Sequence, residues 1–439
     1  MASFYVENFG CRATQADGAA LERDLEARGL ARAQRAGEAG LVVLNSCTVT
    51  ASADRDVRAA IRRIHRENPA CRILVTGCYA QRAPEELAQL EGVSWVVGNS
   101  HKHQVAEIAT ESGFVPLAQV AAPAPTFVGD IFAHTELLAA PVFGAGADHT
   151  RPNLKVQDGC YNRCSFCIIP YVRGQSRSLP REEVLRQVRA LVDAGYREVV
   201  ISGINLGRWG RDLGPASGFK ELVRAILEET DLEKLRLSSV EPMDWSDELI
   251  GMMAASPRVA RHAHVPLQTG SDRILRAMHR KYRPWHYEDR VRKIRAALPT
   301  AAIGADVMTG FPGESEQDFE ESRTFIASLP FTYLHVFTYS SRPGTPSAEM
   351  PHQVPVEVAR ERNRVLRELA AEKNLEFRRS FVGGRLEAIT LNESDGDWTE
   401  ALTDNYLKLR LGGRHTANQW VSARIDAVSG DGLIGSSGD

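Results

Sequence analysis

Between residues 153 and 345 a short apolar run is followed by an amphipathic helical pattern again and again, and this repetition constrains the fold more than any other feature. The runs are "NLKVQ", "EVVISG", "KLRLSS", "HAHVPL", "IGADVMTG" and "YLHVFTYS". Helical patterns such as "REEVLRQVRALVDAG" and "ESEQDFEESRTFIASL" lie between most of them. Strands that alternate with helices pair in parallel, because each crossover must carry the chain back to the starting edge of the sheet. Six such repeats predict an incomplete (βα)6 barrel rather than a closed barrel of eight. Barrels of this kind carry their chemistry on the loops that follow the strands.

The same alternation fills residues 3–108 on a smaller scale. "FYVE", "LVVL", "RILV" and "SWVV" read as strands, and "GAALERDLEARG", "ADRDVRAAIRRIHRE" and "APEELAQLE" as the helices between them. This is a separate α/β domain with a parallel sheet, taken as residues 1–110. Residues 111–145, rich in Ala, Pro and Gly, are expected to be a linker. The barrel domain is taken as 146–377 and ends in a long charged helix from about 355. Residues 378–439 contain "GRLEAITL", "WTEALT", "YLKLRL" and "QWVSARIDAV", short strands with turn signals that predict a small β-barrel. The expected fold class is therefore α/β, with an all-β module at the C-terminus.

Seven cysteines are spread over 439 residues. A chain of this length buries an ample core without disulfides, so clustered cysteines read as ligands or nucleophiles. Cys160, Cys164 and Cys167 sit in "GCYNRCSFC", the loop after the first barrel strand. Cys11, Cys47 and Cys78 each fall just past a strand of the N-terminal domain, where the carboxyl ends of parallel strands place their sites. Three residues far apart in sequence could thereby converge on one point; the alternative is that they are buried small hydrophobes. Cys71 precedes a strand, on the opposite edge, and is expected to be structural.

Structural zinc takes four Cys or His ligands. Three thiolates without a fourth suit a catalytic zinc or a [4Fe–4S] cube, in which each iron takes one external ligand and one iron would stay open. The missing ligand is then the place where a small molecule binds. A zinc knuckle completed by a distant histidine, in a non-catalytic zinc- or RNA-binding protein, is the alternative of another class.

The Cys-x3-Cys-x2-Cys spacing, with Phe166 before the third cysteine, resembles the radical S-adenosylmethionine (SAM) enzymes. "GCR", "LNSCTVT", "TGCYAQ", "GCYNRCSFCIIPYVRGQSRS", "SGINLG", "LRLSSVEP", "HVPLQTGSDRILRAMHRKY", "DVMTGFPGE" and "HVFTYSSRPGT" together resemble the radical SAM methylthiotransferases from about residue 3 to the end. The terminal β module stands where that family has its TRAM domain. The resemblance implies two [4Fe–4S] clusters. Cys160, Cys164 and Cys167 would hold the one that binds SAM and generates the 5′-deoxyadenosyl radical. Cys11, Cys47 and Cys78 would hold an auxiliary cluster that carries the sulfur to be inserted. Gly203, Asn205, Ser239, Glu241 and Gln268, which follow successive barrel strands, are candidates for SAM contact beside Phe166. "GFPGE" lacks the spacing and the Lys-Ser/Thr of a phosphate loop and reads as a tight turn. "CSFCIIPYVRGQSRS" and "LNSCTVTASADRDVRAAIRR" look most like the branch acting on N6-threonylcarbamoyladenosine at tRNA position 37. The other branches act on isopentenyladenosine in tRNA or on an aspartate of a ribosomal protein.

A net charge of −3 supplies no global field for nucleic acid, so an RNA surface must be local. From Arg273 to Arg295 nine Lys or Arg face two acids, with Tyr282, Trp285, His286 and Tyr287 interleaved. Basic groups meet phosphate and aromatics stack on unpaired bases, which suits an anticodon stem-loop. Arg280, Lys281 and Arg283 are the candidates there. Lys408 and Arg410 are candidates on the β module, whose five basic residues after position 380 are outnumbered by nine acids. The expected partners also include an electron donor of the flavodoxin or ferredoxin kind and a sulfur source. "MASFYVENFG" lacks the basic start and apolar run of a secretory signal, and no apolar run reaches bilayer length, so the cytoplasm is the expected compartment.

Overall fold

The computed structural model describes residues 3–111, 123–133, 137, 151–214 and 217–437. They form two compact units, each assembled from separate stretches of chain. The first comprises Met1–Val142, Leu154–Leu179 and Ser340–Ala348, and the second comprises Phe143–Asn153, Pro180–Tyr339 and Glu349–Asp439.

The first unit is built on β1 (Ser3–Asn8), β2 (Ala31–Arg32), β3 (Leu41–Ser46), β4 (Arg72–Gly77), β5 (Val93–Gly98) and β6 (Thr126–Phe127), in the order β2-β1-β3-β4-β5-β6. All neighbours are parallel. β3 is buried along its whole length, as expected of a central parallel strand covered on both faces. The helix Ala51–Glu67 starts where Thr50 Oγ1 accepts from Ala53 N, and it buries Val57, Ala60, Ile61 and Ile64 against Val42, Leu44, Ile73 and Val75. Each such Val, Leu or Ile side chain contributes roughly 1.5–3 kcal/mol when fully buried. Cys71 lies in the same core, as its position before a strand suggested. Most of the stretch 111–145, expected as a linker, lies outside the described residues, and Thr126–Phe127 within it is an edge strand of the sheet. β7 (Asn153–Asp158) leads into the three-cysteine loop and pairs antiparallel with β8 (Arg177–Ser178).

The second unit contains β9 (Glu198–Gly203), β10 (Lys234–Leu237), β11 (His262–His264), β12 (Ala302–Thr309) and β13 (Tyr333–Thr338). β9 pairs with β10, and β11, β12 and β13 pair in sequence, all parallel. A bridge between Leu235 and Val259 links the two groups. With β7, all six strands expected from the βα repetition are present. Three of their helices start on side-chain caps: Ser246, Ser271 and Ser315 each accept a backbone N–H, and Ser315 with Asp318 forms a capping box. In "GFPGE", Gly310 and Gly313 have φ of +77° and +79°, so the segment is a turn, as expected.

After the helix Val356–Arg379 come β14 (Arg385–Asp395), β15 (Trp398–Thr403), β16 (Lys408–Gly412), β17 (Trp420–Ser429) and β18 (Gly432–Ser437). They close into a barrel in the order β14-β15-β16-β18-β17 around Leu386, Ala388, Leu409, Leu411, Ile425 and Leu433. β18 was not legible beforehand, since "GLIGSS" carries glycines and only one apolar pair. It closes the barrel by pairing parallel to β16 and antiparallel to β17. The turn between β15 and β16 reaches the first residues of the barrel strands. Arg236 donates to Asp404 O at 3.0 Å and stacks on Tyr406, whose ring also meets His262 at 5.0 Å between centroids. Asn405 Nδ2 donates to Thr300 O at 3.0 Å.

Candidate active site

In the first unit β1, β3 and β4 are neighbours, and each delivers a cysteine past its carboxyl end. Cys11 is the N-cap of the helix Arg12–Ala27, Cys47 directly follows β3, and Cys78 is the first residue of the helix Cys78–Arg82. The three thiols feel one another. Burial pushes the Cys47 thiol up to about 11, and the neighbouring Cys78 and Cys11 sulfurs add to the rise. Two glycines make the approach feasible. Gly10 has φ +106°, and a Cβ there would lie 2.8 Å from Cys47 Sγ. Gly77 has φ +100°, and a Cβ would lie 2.4 Å from Ser46 O.

The other three cysteines lie half-buried on the loop after β7. Cys160 N donates to Gly174 O at 3.0 Å, Cys167 N donates to Cys164 O at 3.1 Å, and Asn162 N donates to Cys160 Sγ at 3.3 Å. Gln157 Nε2 donates to Asp158 O, Gly159 O and Ser176 Oγ and fixes the base of the loop. Gly159 is required, since a Cβ would fall 1.9 Å from Gln175 O. Phe166 is half-buried on this loop. No disulfide joins cysteines among the described residues.

The two cysteine sets are tied together inside this unit. Ile168 and Val172, from the end of the three-cysteine loop, pack on Cys78. Asn99 Nδ2 lies 3.5 Å from Cys78 Sγ and 2.7 Å from Val172 O, donating to both. Beneath them runs a buried ionic network that sequence reasoning missed. Asp17 receives Lys102 at 2.9 Å, Arg173 at 3.0 Å and Lys155. Arg173 also donates to both Asp158 oxygens at 3.0 Å. Burial alone would raise Asp17, but Lys102, Lys155 and Arg173 outweigh it and hold the carboxyl at about 2. Asp158 is held well below the usual range by Arg173 and Lys155 against the same burial. Burial opposes the charge on Arg173, and Asp158, Cys78, Asp17 and Cys11 more than restore it. Cations outnumber carboxylates here, next to the candidate thiols Cys11 and Cys78. The only sequence signal was Asp17 and Asp158 standing two to six residues from candidate cysteines. Arg342 of "SSRPGT" was missed as well. It is buried and binds Asp54 and Thr48, beside Cys47, with Arg82 on the same pair.

In the second unit Gly203 ends β9, and Asn205 is buried just past it. Gln268 is buried at φ +70°, a strained conformation for a side chain of this kind, and its Oε1 makes no hydrogen bond. Ser239 Oγ lies 2.6 Å from His264 Nδ1. Glu241 is paired with Arg280. This corrects one expectation. Arg280 is buried, its guanidinium is held by Glu241 and stacked on Tyr282, and it cannot also present its charge to a phosphate. Tyr282 and Tyr287 are buried too, with hydroxyls on backbone carbonyls of Leu267 and Val265, so neither can stack on a base. Lys281, Trp285 and His286 remain exposed, and Arg283 lies 3.5 Å from Asp272. On the β module Lys408 pairs with Asp431 at 2.5 Å and Arg410 with Glu400 at 2.9 Å.

A family model described as the radical SAM superfamily matches residues 154–326, and one described as uncharacterized protein family UPF0004 matches residues 3–98. The threonylcarbamoyladenosine tRNA methylthiotransferase MtaB of Aquifex aeolicus is 36% identical over 421 residues, which span 95% of this chain and 99% of its own. The chain belongs to the radical SAM methylthiotransferases. The MtaB of Bacillus subtilis is 36% identical to this methylthiotransferase over 415 residues, covering 93% and 90% of the two chains. A tRNA-2-methylthio-N(6)-dimethylallyladenosine synthase of Thermobifida fusca is 34% identical over 427 residues, covering 97% and 83%. The fold is shared with the radical SAM methyltransferase TsrM of Kitasatospora setae. That structure, solved with tryptophan substrate and aza-SAM bound, aligns with a TM-score of 0.57 at 16% identity and covers 90% and 79% of the chains.

The cofactors of this methylthiotransferase are two [4Fe–4S] clusters and SAM. The residues present fit them. Two sets of three thiols, neither completed by a fourth protein thiol, match cubes with one exchangeable corner each. The surplus of buried cations beside Cys11 and Cys78 offsets the negative charge that thiolate-bound iron–sulfur centres carry. Among the described residues no helix is long and apolar enough to cross a membrane.

Proposed function

We propose that this methylthiotransferase converts N6-threonylcarbamoyladenosine at position 37 of tRNA to its 2-methylthio form. The observation that carries the reading is the end-to-end match, 36% over 95% of this chain and 99% of the Aquifex aeolicus relative, to a protein named for that substrate. When bound, the clusters and SAM supply a one-electron route to a carbon radical and a source of sulfur, which a C–H bond without an acidic proton requires. Cys160, Cys164 and Cys167 hold the SAM-binding cluster, and Cys11, Cys47 and Cys78 hold the auxiliary one. Phe166, Gly203, Asn205, Glu241 and Gln268 orient SAM. Arg280 serves by holding Glu241 in place. Ser239 joins this set with its hydroxyl already engaged by His264.

The anticodon stem-loop meets Lys281, Arg283, Trp285 and His286, where an exposed indole offers a stacking platform among basic groups. Lys408 and Arg410 are lesser contributors, since each already faces an acid of its own module. The functional division is 1–110 for the auxiliary cluster, 146–377 for the radical SAM core and 378–439 for a TRAM-like module. A flavodoxin- or ferredoxin-like donor and a sulfur source complete the reaction in the cytoplasm.

Mass spectrometry of tRNA nucleosides from cells with and without the gene tests this. Loss of the 2-methylthio threonylcarbamoyl nucleoside supports the proposal. Loss of the 2-methylthio isopentenyl nucleoside instead assigns the branch of the Thermobifida fusca relative. Unchanged tRNA with loss of a methylthiolated ribosomal aspartate assigns the third branch.

A further inference from the structure

The inner face of β11, β12 and β13 is polar where packed barrels are filled with Val, Ile and Leu. Register puts His264 beside Gly304 and Asp306 beside His335 on adjacent parallel strands. Side chains two apart on a strand share a face, so His262 and His264 stand in line, as do Tyr333 and His335. Asp306 Oδ1 lies 3.4 Å from His264 Nε2 and 3.3 Å from His335 Nδ1. All three ligand atoms fall within 4.8 Å of one another.

Three features distinguish this cluster from an ordinary ion pair. His264 is buried, and its Nε2 makes no hydrogen bond although it is aimed at Asp306. Its other nitrogen is engaged by Ser239 Oγ at 2.6 Å, the outer-shell contact that orients a ligating imidazole and fixes its tautomer. Metal bonds of about 2.1 Å place neighbouring ligand atoms about 3.0–3.4 Å apart, which matches both measured pairs.

We propose that His264, Asp306 and His335 form a binding site for a divalent first-row transition-metal ion, separate from both cysteine sets. Two histidines and one carboxylate occupy one face of such an ion and leave positions open to oxygen donors. His335 is 64% exposed on its side chain, which gives an ion a path in. Ser239 acts as a positioning residue for His264.

The test is manganese titration of the holoenzyme with both clusters loaded, followed by loss of the six-line EPR signal of aqueous Mn2+. In their oxidised state the clusters are diamagnetic, and thiolates compete poorly for manganese. The expected result is about one equivalent bound, displaced by zinc. His335→Gln and Asp306→Asn each weaken it by at least about 100-fold, and Ser239→Ala by about 10–100-fold. His286→Gln, on the helix Pro284–Ala297 and outside the cluster, leaves it unchanged. Retained cluster absorbance confirms that each variant is folded, and exposed His335 is a substitution the core tolerates. Absence of stoichiometric Mn2+ or Zn2+ binding by the native holoenzyme overturns the proposal. So does binding that His335→Gln and Asp306→Asn leave intact.

Discussion

The N-terminal sheet and the barrel are both parallel βα structures, yet they spend their side chains differently. In the N-terminal sheet both faces of β3 are buried, and the reactive groups are pushed to the strand ends at Cys11, Cys47 and Cys78. In the barrel the outward-facing Val199, Ile201, Leu235, Ala263, Val265 and Ile303 are buried and apolar. The inward-facing Glu198, Arg236, His262, His264 and Asp306 are polar. A sheet covered on both faces can afford reactivity only at its edges, because a polar group in its middle would lose water without gaining a partner. An open barrel has an interior wide enough for polar side chains to satisfy one another.

The largest effects are expected at the cysteines. Cys164→Ala should abolish reductive SAM cleavage, read as 5′-deoxyadenosine formation, because two thiolates cannot hold the cube. Cys47→Ala should keep that cleavage and lose sulfur insertion, read by nucleoside mass spectrometry. Retained methylthiolation in the Cys47 variant refutes the division of labour between strand ends and barrel loop.

Next in size is the buried network under the cysteines. Asp17→Ala leaves Lys102, Lys155 and Arg173 short of a shared anion and should cost about 3–5 kcal/mol in urea unfolding. The same carboxyl links stability to pH. Its value in the folded protein, about 2, lies below the ordinary 3.8, so its contribution is present above pH 4 and is lost as pH falls through 2. The unfolding free energy from urea titration should drop across that window by on the order of 2 kcal/mol, and its pH slope should flatten in Asp17→Asn. A midpoint indifferent to acid would remove the network from the account of this sheet.

Smaller effects separate the two basic surfaces. Trp285→Ala should weaken anticodon stem-loop binding by about 1–3 kcal/mol, with little change in stability, since the indole is exposed. Lys408→Ala removes an exposed ion pair and should shift stability by about 0–1 kcal/mol. If Lys408→Ala proves the larger loss in a filter-binding assay, the RNA surface belongs to the β module.

Much of this was readable in one dimension. The strands at 41–46, 72–77 and 198–203 follow from unbroken apolar runs, and each candidate cysteine was seen to follow a strand. Arg280 misled because a basic run looks alike whether its members face water or Glu241. β18 was hidden by glycines, whose pairing comes entirely from neighbouring strands. The pairing of Asp17 with Lys102, Lys155 and Arg173 joins residues 85 to 156 positions apart, which no local pattern records. The alternating histidines in "HAHVPL" were a visible signal of two imidazoles on one strand face.

By itself the order of residues determined the parallel architecture, the two triplets of candidate thiols and the family. These depend on periodicity and on spacing along the chain, and both are local properties. Only the tertiary structure decided which charges are spent internally, which aromatics reach solvent, and that His264, Asp306 and His335 share one face. Those outcomes depend on strand register and burial, which are set by packing between segments that the sequence keeps far apart.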